Sequence, residues 1–288
     1  MTQVPTTLST AYREGRLLPF IGAGVSMGVH WPGPSGLIRG PSWRELVDEA
    51  ARLLGFDDPE LLRVRGEDLQ ILEYFREQNG GRFEPLTNWL VRDFNPPDDA
   101  LKENEVLKAL ALLDGCNLMY TTNFDSFLER ALRLNGRKVS VVSTEEEIAK
   151  AIRDGALATS TEVCQVVKFH GDLEHQDQMV VSEKDYQKRL SLSTSLDDRL
   201  KADLLGRIVL FIGYSFRDWN VSYLYHVLND IHGDSPDRVA NVRGYITVAD
   251  PSHFEISLFR ARRLEVIPIT GNDMSNQIAT LLTTIGQS

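Results

Sequence analysis

The chain has 288 residues, enough for one large α/β domain or for a core domain carrying a smaller inserted lobe. Its hydrophobic fraction of 42% and charged fraction of 25% are an ordinary globular balance that supports a sizeable buried core. A formal net charge of −10 argues against broad phosphate-driven binding of nucleic acid, which needs a basic face, and Arg260, Arg262 and Arg263 read as a solvated helix face.

The segment from Met1 to Thr10 is polar and lacks the apolar centre of a signal peptide, and no run approaches membrane-spanning length. The two cysteines, Cys116 and Cys164, lie at the edges of apolar runs, where burial as free thiols in a reducing cytosol is expected. Two cannot make a four-cysteine zinc ribbon, and there is no compact His/Cys cluster to replace one. These features predict a cytoplasmic protein without a metal or a membrane anchor.

In chain order, the first apolar run is Leu17 to Ala23 and predicts a strand. Trp31 to Gly40, rich in Gly and Pro, predicts a long loop. From Ser42 to Leu113 there is no strand pattern. Amphipathic stretches there predict helices over Ser42 to Leu54, Glu60 to Arg76, Glu84 to Phe94 and Leu101 to Leu113, punctuated by Gly80-Gly81 and Pro96-Pro97. Residues 42–113 therefore read as an inserted helical lobe able to close one side of a ligand cleft, with 1–41 and 114–288 forming the core.

Beyond the lobe, strands are predicted at Leu118 to Thr122, Val139 to Val142, Val163 to Phe169, Ile208 to Tyr214, Tyr245 to Val248 and Leu264 to Ile269. Helical patterns lie between them at Asp125 to Leu134, Glu145 to Arg153, Trp219 to Ile231 and His253 to Arg262, and Ser182 to Leu205 reads as a second helical insert. Short Val- and Ile-rich runs alternating with helices predict a Rossmann-like parallel sheet covered by helices on both faces.

Four strand ends carry polar or glycine-rich segments. Gly22-Ala23-Gly24-Val25-Ser26 follows the first strand and suits either a structural turn or a phosphate cradle of backbone N–H groups. The dinucleotide fingerprint fails in it, because Met27 occupies the third glycine position, and this disfavours a dehydrogenase. Thr121-Thr122-Asn123-Phe124-Asp125 closes a strand, with Asn123 or Asp125 available as a helix cap or as a ligand group. His170, in Lys168-Phe169-His170-Gly171-Asp172, ends a buried-type strand, where an imidazole is either packed or a base working near neutral pH. His30, in the long loop, is a distant second candidate. Gly213-Tyr214-Ser215 leads into Phe216-Arg217-Asp218, with Ser215 suited to a phosphate and Asp218 to a cap. Parallel strands place their carboxyl ends on one edge, so the four segments should converge.

This ordered set, Gly22-Ala23-Gly24-Val25-Ser26, Thr122-Asn123-Phe124-Asp125, Phe169-His170-Gly171 and Gly213-Tyr214-Ser215, resembles the sirtuin core. It is closer still to the SIR2-like domains of bacterial anti-phage systems, over roughly Leu17 to Asn220. The resemblance implies an NAD+ hydrolase that depletes NAD+ in defence. In it Gly22, Ala23, Gly24, Ser26 and Thr122 hold phosphates or ribose, and Gly213 and Ser215 hold the adenosine side. Asn123 and Asp125 position the nicotinamide ribose and a water, and His170 is the base. No zinc ribbon separates the His-Gly and Gly-Ser segments, and Val29-His30-Trp31-Pro32 stands where sirtuins have Pro-Asp-Phe-Arg. Both departures favour the hydrolysing branch over an NAD-dependent protein deacylase, and a catalytically silent module sensing NAD or ADP-ribose stays as a further alternative. Little chain follows the last predicted strand, so no separate sensor domain is expected, and control is expected through assembly: a homo-oligomer or, by resemblance, a HerA-type ATPase or short Argonaute partner.

Overall fold

The computed structural model describes residues 4–34, 36–153, 162–191, 194–215, 227 and 242–288. Seven parallel strands form one sheet: Leu17–Ile21 (β1), Leu118–Thr121 (β4), Lys138–Val142 (β5), Val163–Lys168 (β6), Ile208–Ile212 (β7), Gly244–Ala249 (β8) and Leu264–Ile269 (β9). Their order is β5-β6-β4-β1-β7-β8-β9. Each coincides with a predicted apolar run. All five residues of β1 are buried, as a central strand covered on both faces requires.

Alternate residues of each strand feed two separate cores. Ile21, Met119, Val166 and Ile212 join the helices Thr6–Arg13, Glu105–Ala111, Phe127–Leu134 and Met274–Gly286 on one face. Phe20, Tyr120, Val167 and Phe211 join Ser195–Leu204, Ile148 and Phe259 on the other. Pro19 sits within β1 and has no N–H to give. The missing donor faces β4, where pairing begins only at Phe20↔Tyr120, whereas pairing with β7 runs from Leu17↔Ile208 to Ile21↔Ile212.

Three expectations are corrected. The segment after β1 is not a long loop: a short helix, Ala23–Met27, starts at once and an antiparallel hairpin follows, His30–Gly33 (β2) with Gly36–Arg39 (β3). Gly36, at φ +127, permits the turn, and Trp31 of β2 is buried edge-on against Phe127. The stretch from Glu60 to Arg76 splits into Glu60–Arg63 and Asp68–Gln78 around Gly66, and Leu101 to Leu113 is served by Asp98–Glu103 and Glu105–Ala111, divided where Asn104 caps the second helix. Helices at Thr6–Arg13 and Met274–Gly286 had no counterpart in the sequence reading. The pattern at Trp219 to Ile231 lies outside the described residues, apart from residue 227.

Within 42–113, Leu46, Val47, Ile71, Phe75, Leu86 and Leu90 build a core of their own, completed by Met179 and Val181 from the segment beyond β6. The last two helices, Asp98–Glu103 and Glu105–Ala111, pack instead into the sheet's core through Leu101, Val106 and Leu110. Cys116 and Cys164 are buried free thiols, and burial pushes the Cys116 thiol up to about 12.

At the carboxyl ends of β1 and β7, backbone meets backbone. The Gly24 N–H donates to Gly213 O at 2.9 Å, and a Cβ on Gly22 or Gly24 would lie 2.7 or 2.9 Å from atoms of Gly213. Gly213 itself has φ +77, and a Cβ there would stand 2.7 Å from Val25 N. Gly213→Ala is therefore expected to cost about 2–5 kcal/mol in urea unfolding, the sum of left-handed strain and overpacking. Gly15, at φ +65 with nothing within 4 Å of a built Cβ, is the control. Its change to Ala should cost only about 1–2 kcal/mol, and equal losses at the two positions would show that the β1–β7 contact yields freely.

Candidate active site

The strand order puts β6, β4, β1 and β7 side by side, so the four polar strand ends stand in one row at the point where the chain changes its direction of winding. Above that row is a cavity of about 870 Å³. Ala23, Thr122, Asn123, Asp125, His170 and Ser215 line it from the sheet side. Trp43, Arg63, Arg65, Gln70 and Phe94 line it from the lobe, and Tyr186 from the helix Glu183–Leu190. Gly22, Gly24, Ser26 and Gly213 do not line it: Gly22 and Ser26 are buried behind the wall, Gly213 is half-buried and Gly24 is exposed. His30 is exposed, with its ring Nδ1 3.0 Å from Gly28 O, and it too is absent from the cavity.

Asn123 is anchored by one end. Its Nδ2 donates to Gly22 O at 3.2 Å and to Ser26 Oγ at 3.0 Å. A backbone carbonyl can only accept, so this contact fixes which end of the amide points outward. Oδ1 makes no hydrogen bond among the described residues and is the atom left for a water or hydroxyl. Ser26 Oγ in turn donates to Asp125 Oδ2 at 2.8 Å, while Asp125 Oδ1 accepts from Phe127 N at 3.0 Å in an Asx turn one residue ahead of the helix N-cap, Ser126. Both Asp125 oxygens are thus occupied within the protein, and burial pushes its carboxyl up against the opposing pull of Lys168. Thr122 Oγ1 lies 2.9 Å from the Tyr214 hydroxyl, which donates to Ile21 O, so the ends of β4, β7 and β1 are knotted together.

His170 is held through its backbone and its faces. Its carbonyl accepts from Val180 N at 3.0 Å, and Gly171, at φ +78, turns the chain away directly after it. The ring meets the edge of Tyr186 at 5.3 Å and makes no hydrogen bond among the described residues. Arg189 grips the preceding residue, donating to Phe169 O at 2.7 Å with its guanidinium 4.6 Å over the Phe169 ring, and is itself paired with the fully buried Asp197. Burial first and the Arg189 charge second hold the imidazole well below its ordinary value, so it is neutral at neutral pH.

Two features were missed in the sequence. Lys168 is buried at 2% exposure, with Nζ bonded to Glu129 Oε1, Phe124 O and Asp125 O. A lysine interrupting the apolar run Val163 to Phe169 was the available signal. The Arg189–Asp197 pair had none, because both belong to helices whose patterns read as ordinary amphipathic faces.

A model of the SIR2-like domain matches residues 117–267, more than half of the chain. The chain belongs to the SIR2-like family. Among curated relatives of this SIR2-like chain, an NAD(+) hydrolase ThsA from Bacillus cereus (strain MSX-D12) is 28% identical over 210 residues, covering 71% of this chain and 38% of that protein. Defense-associated sirtuin 2 of Bacillus subtilis is 25% identical over 252 residues, covering 86% of this chain and 22% of that protein. This SIR2-like chain therefore spans well under half the length of these relatives. A solved structure from work on the mechanism and regulation of Sir2 enzymes aligns with 98% of this chain and 96% of its own, at 13% identity and a TM-score of 0.45. No helix among the described residues is long and apolar enough to cross a membrane.

The neutral imidazole of this SIR2-like chain has a measurable consequence. The unfolded chain takes up the His170 proton near 6.5 and the native chain does not. Stability is therefore whole above that value and is lost as pH falls below it, by at most about 1.4 kcal/mol per pH unit. Wild-type protein should lose stability between pH 6.5 and 5 more steeply than His170→Gln does in urea titrations. Parallel curves would show an imidazole that titrates as freely when folded as when unfolded.

Proposed function

We propose that this SIR2-like chain hydrolyses NAD+ to nicotinamide and ADP-ribose, as the effector of a bacterial anti-phage defence system that depletes NAD+. The relatives named NAD(+) hydrolase and defense-associated sirtuin support the reading. The observation that carries it is the pairing, in one cavity of about 870 Å³, of a neutral imidazole at 170 with an anchored carboxamide at 123.

The reaction breaks the bond between C1′ of the ribose and the ring nitrogen of nicotinamide, and the electron pair leaves with nicotinamide. The leaving group is neutral as it departs, so little acid assistance is needed, and positive charge develops on the ribose in the transition state. The site has to hold the dinucleotide in a reactive shape and deliver one water to C1′. Asn123 Oδ1 accepts a hydrogen bond from that water or from a ribose hydroxyl, while Nδ2 stays committed to Gly22 and Ser26. His170 takes up the proton released as the water oxygen bonds to carbon. Asp125 serves by orienting Ser26, which orients Asn123. Ala23, Thr122 and Ser215 border the cavity where phosphates and riboses would lie, and the neighbouring layer of Gly22, Gly24, Ser26 and Gly213 sets their backbone. Control through assembly, as a homo-oligomer or with a HerA-type ATPase or short Argonaute, belongs to the same proposal.

Purified protein incubated with NAD+, alone and with such partners, should release nicotinamide and ADP-ribose in equal amounts by mass spectrometry. His170→Ala and Asn123→Ala should each lower turnover by at least about 10²-fold while the circular dichroism spectrum stays native. Full turnover by both variants would remove these two residues from the chemistry.

A further inference from the structure

Lys168 occupies an unusual place. Its backbone ends β6, one strand-end step before His170, and Phe169 N donates to Thr121 O at 2.8 Å. Its side chain runs to the neighbouring segment, where Nζ lies 3.1 Å from Phe124 O, 2.6 Å from Asp125 O and 3.0 Å from Glu129 Oε1. An ammonium group has three protons, and all three are spent here. Two of the acceptors are backbone carbonyls of the two residues directly after Asn123. The third is the carboxylate that keeps a positive charge tolerable at 2% exposure, with side-chain exposures of 2% and 6% for the pair. Glu129 Oε2 makes no hydrogen bond among the described residues.

We propose that Lys168 is a positioning residue: by clamping the carbonyls of Phe124 and Asp125 it fixes the Asn123 carboxamide relative to His170, so that one side chain sets the spacing between the two halves of the site. At this burial a structural pair also needs all three ammonium protons satisfied, so the carbonyl contacts stabilise the lysine whatever else they do. What singles them out is their place: both fall on the segment that bears Asn123. The inference rests on the NAD+ hydrolase reading for its kinetic form but not for its structural form, and the test keeps the two apart.

The test uses the full chain with Lys168→Met and with Lys168→Met/Glu129→Met. The single variant leaves a carboxylate buried without a partner and should lose much of its thermal stability. The double variant removes both charges, and stability should largely return, because an apolar pair of similar volume replaces a buried ion pair at little cost. If Lys168 positions Asn123, kcat for NAD+ stays down by about ten- to a hundredfold in the double variant while KM changes less than about threefold. Recovery of kcat together with stability would overturn the proposal.

An activity-independent readout is the side-chain NH2 resonance pair of Asn123 in 15N-labelled protein, assigned through its loss in Asn123→Ala. It should shift and broaden in the double variant, and an unmoved pair would overturn the proposal even if turnover fell. Wild-type protein that cleaves no NAD+ would count against the hydrolase reading, with the resonance pair still deciding the role of Lys168.

Discussion

Backbone approaches backbone at the carboxyl ends of β1 and β7 more closely than any side chain permits, and the geometry of the cavity follows from that approach. With Gly24 N–H on Gly213 O, the chain after β1 has to turn at once into the helix Ala23–Met27. That turn brings Ser26 beside β4, where it meets Asn123 and Asp125. It leaves Ala23, at the start of that helix, and Ser215, beyond the end of β7, on the cavity wall. Glycine is needed at these positions because there is no room for a Cβ, whatever a ligand then does there.

The polar groups behind the wall form a relay with a direction. Phe127 N holds Asp125, Asp125 holds Ser26, Ser26 holds one end of Asn123, and the other end of that amide faces the cavity. Each member spends its bonding capacity on the next, which fixes a rotamer before any ligand arrives and reduces the ordering cost of binding. On the β6 side the logic differs. His170 has a carbonyl bond, an edge-to-face ring contact with Tyr186 and a low-dielectric setting, and its imidazole nitrogens make no hydrogen bond among the described residues.

Much of this was readable in the amino-acid order, for identifiable reasons. The inner strands show because they are buried on both faces and so are written as short apolar runs, while the edge strands β5 and β9 show by their Val and Ile content, and the sheet order then makes neighbours of the four polar strand ends. The hairpin from His30 to Arg39 did not show, since its strands have four residues each and its Gly and Pro content imitates a loop. The break at Gly66 was hidden because the apolar spacing on either side continues the same helical phase. The cap expected of Asp125 is replaced by an Asx turn onto Phe127 N, just ahead of the N-cap Ser126, and its second bond, to a serine 99 positions away, was not legible. Lys168 was visible only as an anomaly, a charge inside an apolar run whose partner Glu129 lies on a different element, Phe127–Leu134.

The lobe's core is not self-contained. Met179 and Val181 complete it, Phe124 and Leu173 pack against it, and Val180 between the first two bonds the His170 carbonyl. The outer helices are therefore keyed into both segments that carry the polar groups of the cavity. The packing of those helices and the placement of the imidazole and the carboxamide are thus parts of one continuous contact, joined through the segments 124–125 and 173–181.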